Sequence, residues 1–95
     1  MIIYKVTYDQ DGNETLRDTL DIEVFRQEPI TKMMQDRKGS VVQTSARLFC
    51  KPTFTFDFTD RVIYKIPYQG IEKDLISIAE QYNLGNVLEH YEIYI

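Results

Sequence analysis

One cysteine, one histidine and no tryptophan occur in this chain of 95 residues, and each scarcity excludes a class of chemistry. The lone Cys50 cannot close an internal disulfide, which suits a reducing compartment. One Cys with one His leaves no spacing that resembles a zinc or haem site. His90 has no Ser, Cys or second His at motif spacing, so it reads as a structural or surface imidazole. No glycine-rich phosphate loop and no nucleophile motif is present. The chain is therefore expected to bind no cofactor or metal and not to be an enzyme.

Long apolar runs are missing as well. The stretch Met1-Ile2-Ile3-Tyr4-Lys5-Val6 is too short for a signal peptide and carries a charge, and no run approaches the ~20 apolar residues of a membrane span. A protein that stays in the cytoplasm where it is made, with no membrane partner, is the expectation. Positive charge is not in excess: eleven Lys and Arg against fifteen Asp and Glu give −4. The acids are scattered, so general affinity for phosphate backbones is not expected. Low-complexity segments and internal repeats are absent too. What remains is one domain over 1–95, with 43% hydrophobic residues to fill a modest core and no room for a catalytic cleft between two domains.

Alternation is what the chain does have. Ile2, Tyr4, Val6 and Tyr8 fall on one face of a first strand, and Asp9-Gln10-Asp11-Gly12-Asn13 supplies a hairpin turn. Leu20, Ile22 and Val24 alternate with Asp21 and Glu23 in a second strand that runs to about Arg26 and stops before Pro29. Residues 27–40 show no sustained periodicity and read as a long loop, with room for one helical turn; such loops tend to be functional. A third strand spans 41–50, ended by Pro52. Phe54, Phe56 and Phe58 then share one face, Thr59-Asp60 turns, and Val62, Tyr64, Ile66 and Tyr68 repeat the pattern.

From Ile71 to Tyr82 two readings stand. Ile71, Leu75, Ile78, Ala79 and Tyr82 match helical spacing, whereas Leu75, Ser77 and Ala79 against Ile76 and Ile78 suit a buried strand. Asn83-Leu84-Gly85-Asn86 turns into a final strand with Val87, Glu89, Tyr91, Ile93 and Ile95 on one face. Short strands separated by turns predict a mainly β fold, a small antiparallel barrel or sandwich with one long loop.

Few side chains invite a chemical role. Asp57 and Asp60 flank a turn, where Asp is favoured for local hydrogen bonds rather than as a catalytic pair. The Phe54, Phe56, Phe58 stripe lacks the interleaved cations of a base-stacking platform, so it reads as core. Cys50 shares a face with Leu48 and Ala46 and reads as a small buried hydrophobe. Two candidates for interaction are left. One is the loop, with Lys32, Met33, Met34, Arg37 and Lys38; the other is the terminal strand, where Tyr91, Ile93 and Ile95 form an apolar face that calls for pairing.

The terminal Leu88-Glu89-His90-Tyr91-Glu92-Ile93-Tyr94-Ile95 is also similar to the signature of tailed-phage minor capsid and head-completion proteins, a Leu-His-His-Tyr-Glu followed by alternating apolar residues. Further markers run in the same order: Glu28-Pro29, Asp36 to Gly39, Ser45-Ala46-Arg47-Leu48-Phe49 and Asp60-Arg61-Val62. The resemblance covers Arg26 to Ile95, with Glu89 where the family often has its first His. It favours strand over helix in 71–82. It implies a head–tail connector subunit that assembles as a ring below the portal, closes the DNA-filled head, meets a portal or adaptor protein and a tail-completion protein, and lets DNA pass without sequence-specific binding. The place implied is the head–tail interface of the virion. A small monomeric inhibitor of a host enzyme is the alternative expectation, sharing the length, the acidity and the lack of catalytic motifs.

Overall fold

Side chains that alternate every second residue make strands throughout, and the computed structural model, which describes residues 1–95, contains ten strands and no helix. β1 (Ile2–Tyr8) and β2 (Glu14–Asp21) form the first hairpin. Its turn is fixed by Asp9 Oδ1, which accepts from the backbone N–H of Asp11 and Asn13 at 2.9 Å each, and by Gly12 at φ +82°. Then come β3 (Val24–Pro29), β4 (Met33–Gln35), β5 (Val41–Gln43), β6 (Ala46–Cys50), β7 (Val62–Tyr68), β8 (Ile71–Asp74), β9 (Ser77–Tyr82) and β10 (Leu88–Tyr94). They build two antiparallel four-stranded sheets, ordered β2-β1-β7-β8 and β3-β6-β10-β9, and a two-stranded ribbon, β4-β5.

The two sheets are joined at both flanks by chain that bends from one to the other. At the first corner, Ile22 donates its N–H to Met1 O in one sheet (2.8 Å), while the next carbonyl, Glu23 O, accepts from Lys51 at the end of β6 (2.9 Å). At the second, Leu75 donates to Tyr64 O (2.9 Å) and Ile76 to Tyr94 O (2.8 Å). Each corner thus hands its hydrogen bonds from sheet to sheet within one residue. The result is a sandwich with two stitched flanks rather than a closed barrel.

Ile3, Ile22, Tyr64 and Ile66 from one side meet Leu48, Cys50, Tyr91 and Ile93 from the other, all buried. Burial of such side chains stabilises by roughly 1.5–3 kcal/mol each. The segment 51–61 is not the strand its alternating phenylalanines predict; it is tied to both sheets by its aromatics. Asp57 N–H donates to Tyr64 Oη (2.7 Å), Tyr91 Oη donates to Phe54 O (3.1 Å), and the buried Phe56 ring lies edge-on to Tyr64 at 4.9 Å. Only Phe58 of the three is largely exposed.

Three expectations change. The long loop over 27–40 is not a loop: Gln27 to Pro29 belong to β3 and pair with β6, and Met33–Gln35 pair with Val41–Gln43 around a turn in which Asp36 Oδ1 accepts from Lys38 and Ser40 N–H. Three-residue strands are too short to show a period, which is why they looked irregular, and no helical turn is present. The second and third predicted strands are each broken, at Ile22-Glu23 and Thr44-Ser45, where the chain changes sheet or ribbon. The strand reading of 71–82 holds over the helical one, with β8 and β9 meeting at the second corner. Finally, β10 is an inner strand with β6 on one side and β9 on the other. Tyr91 to Tyr94 are paired on both sides within the chain, so that stretch offers no edge to a neighbour. A register shift between Leu88 and His90 also turns Leu88, rather than Val87 or Glu89, toward the core.

Candidate interaction site

Arg37 decides where the β4-β5 ribbon lies. Its Nη1 donates to Val62 O (3.2 Å), its Nη2 to Thr59 O (3.3 Å), and the guanidinium carbon sits 4.5 Å from the centre of the Phe58 ring. The ribbon tip is thereby held on the turn before β7. Between ribbon, β8 and the end of β10 opens a cleft of about 760 Å³. Val42 and Gln43 line it from β5, Ile71 and Lys73 from β8, and Ile76 and Ile95 from beyond the ends of β8 and β10.

Main-chain polarity follows from the register. Because Leu75 bonds to β7, strand alternation turns the N–H and C=O of Glu72 and Asp74 away from it. Because Thr44 N–H donates to Lys32 O, the same rule turns those of Val41 and Gln43 away from β4. Two strand edges with unused hydrogen-bonding groups therefore border one cleft. Its charges are partly cancelled: Glu72 is held by Arg17 at 3.1 Å and Asp74 by Lys65. Arg37, Lys38 and Lys73 have no carboxylate partner, and Asp36 and Asp60 have no cationic one.

Of the residues expected to interact, Arg37, Lys38 and Ile95 meet at this cleft. Lys32 instead stands over the Tyr94 ring at 5.9 Å, Met33 is exposed on the ribbon and Met34 is half-buried. Tyr91 and Ile93 are core residues. Lys73 and Ile76 were missed, since nothing in sequence brings β8 beside the ribbon.

Two other exposed features stand out. On the outer face of the second sheet, Phe25, Phe49 and His90 pack at centroid distances of 5.8 to 6.2 Å, with Arg26 and Arg47 within 5.2 Å of the Phe49 ring. Both arginines share Glu28 (2.6 and 2.5 Å), and the bond from Arg47 above all holds its carboxyl below the ordinary value. His90 thus belongs to an aromatic surface cluster. The second feature is the tip of the β9-β10 hairpin, where Asn83 Oδ1 accepts from Gly85 and Val87 N–H and Leu84 is wholly exposed. No three His, Cys, Asp or Glu side chains converge to hold a metal. Comparison with family models, with curated proteins and with solved structures finds no match to this chain.

Proposed function

We propose that the chain is a structural subunit of a tailed-phage head–tail connector, assembled as a ring below the portal, where it retains packaged DNA and offers a surface to the tail. The observation that carries this reading is where the resembling residues fall. Ser45-Ala46-Arg47-Leu48-Phe49 and the terminal octet, far apart in sequence, run side by side as β6 and β10, with Ile93 opposite Leu48 and Glu92 opposite Phe49. The two most specific parts of the likeness are therefore neighbours in one sheet, while its weaker markers, Asp36 to Gly39 and Asp60-Arg61-Val62, fall in the ribbon turn and at the start of β7. The −4 net charge suits a channel through which DNA slides without sticking. The cleft, bordered by two free strand edges, and the projecting hairpin support a reading in which the chain meets other proteins.

A phage carrying an early stop codon in this gene tests the proposal. Proheads and free tails should form normally, because a connector is added after packaging, and electron microscopy of the lysate should show heads that have lost DNA or lack tails. Intact, infectious tailed particles would overturn the assignment in favour of a host-directed inhibitor.

A further inference from the structure

The β4-β5 ribbon is the outer half of one long hairpin whose inner half is β3-β6. In the inner half Glu28 stands opposite Arg47 and Pro29 opposite Ala46, and Ile30 N–H donates to Ser45 O (3.3 Å). The next rung outward joins Lys32 to Thr44: Thr44 N–H donates to Lys32 O (2.8 Å) and Lys32 N–H to Thr44 Oγ1 (3.0 Å). From Ile30 to Lys32 one strand advances by two residues while its partner, from Ser45 to Thr44, advances by one. Thr31 is therefore an extra, unpaired residue, a β-bulge, and a bulged strand bends. The other side of the bend is pinned, because Ser45 and Ala46 both donate to Ile95 O (2.5 and 3.2 Å).

Outside the bend little holds the ribbon down. It shares no ladder with either four-stranded sheet, and no residue from Lys32 to Gln43 is buried. Met34 and Val42, a cross-strand pair, are half-buried, and Lys32 reaches the Tyr94 ring beside the bend. At the far end stands Arg37, which bonds to the neutral carbonyls of Val62 and Thr59 and lies over the partly exposed Phe58 ring. Thr59 O also accepts from Val62 N–H (3.3 Å), so it keeps a partner when the arginine leaves. An element with a bend at its root, no buried residue along its length and one side chain fastening its tip is built as a hinged body.

We propose that the β4-β5 ribbon is a lid on the cleft, swinging as a unit about the Thr31 bulge and latched by Arg37. When the latch is released, Val42 and Gln43 leave the cleft wall with the ribbon, and the β8 wall with Ile71 and Lys73 stands open on that side. The ribbon's own rungs, Lys32 with Thr44 and Asp36 with Ser40, stay closed, since the bend lies inward of them. Access to the cleft is thus set by one arginine, and this does not rest on the connector reading.

Spin labels on a full-length Q35C/I71C chain measure the gap between ribbon and β8. Both positions are exposed and the native Cys50 is buried, so only the two new thiols react. Pulsed electron paramagnetic resonance should give one dominant distance. Adding R37A should raise the ratio of a longer distance to the short one at least about tenfold, because two charge-assisted hydrogen bonds and a cation–π contact are lost together. F58L, which removes only the ring, should shift the ratio the same way by less. Hydrogen exchange separates swinging from melting: the Asp36 and Thr44 amides, bonded to Ser40 O and Lys32 O, should stay as protected in R37A as in the parent, with circular dichroism unchanged. An unaltered distance in both variants would overturn the latch. Loss of protection at Asp36 and Thr44 would overturn the lid, since the ribbon would then fray rather than swing.

Discussion

Truncation after Val87 removes an inner strand, and the cost can be set against the stability of the whole. Tyr91, Ile93 and Ile95 are buried in the central cluster, and at roughly 1.5–3 kcal/mol each their loss comes to about 4.5–9 kcal/mol. β6 keeps β3 as a neighbour, but β9 has no other partner and is left alone. A domain of this length is stable by roughly 5–14 kcal/mol at ~0.05–0.15 kcal/mol per residue. The two figures overlap, so the truncated chain should not fold. A graded companion is I93A, which empties a site between Leu48 and Ile78 and should cost about 2–5 kcal/mol while leaving the fold intact. Urea unfolding followed by tyrosine near-ultraviolet circular dichroism reads both. I93A should keep one cooperative transition with its midpoint lowered by on the order of 1–2 M, given slopes of ~1–3 kcal/mol/M, and the truncation should show no transition. A truncated chain that is soluble and unfolds cooperatively would refute the placing of β10 at the centre of its sheet.

Two further outcomes are expected. R37A should release the β4-β5 ribbon, so that trypsin cuts at Lys38 and Lys32 faster than in the unsubstituted chain while the urea midpoint hardly moves; equal cutting rates would mean that Arg37 does not hold the ribbon. Burial pushes the Cys50 thiol up from its ordinary 9.0 to about 11, so the folded chain keeps that proton more tightly than the unfolded one. Its contribution is full below pH 9 and lost as pH rises toward 11. C50A should therefore lose less stability than the parent over that interval, and identical slopes would count against a buried neutral thiol.

Period-two alternation made β1, β7 and β10 legible, because each is long enough to show several repeats and has one buried face. It misled at Phe54, Phe56 and Phe58, where the same alternation belongs to irregular chain whose polar groups are met by Tyr64 and Tyr91. It was silent for Met33–Gln35 and Val41–Gln43, three residues each, which are strands only because they pair. The cleft was legible in part. Arg37, Lys38 and Ile95 were singled out, the first two for charge and the last for its place on an apolar face. Lys73 is placed by the β7-β8 hairpin and Ile76 by the second corner, and that both face the ribbon is a long-range fact with no local sign.

One side chain covers much of the outer face of the first sheet. Val6 is fully buried yet lies outside the main core, since it shares its face with its cross-strand partner Arg17. Arg17 crosses that face from β2 to Glu72 on β8, with Glu14 as a second partner and the Tyr4 ring 5.2 Å beneath the guanidinium. An exposed ion pair adds little stability by itself; here the arginine stem shields Val6 and spans the sheet from edge to edge. The same edge strand, β2, carries Asp18 and Asp21 as well, and charges along an edge discourage further strand pairing. Strapped in this way, Val6 is closed off from solvent although it lies on the outer face of its sheet.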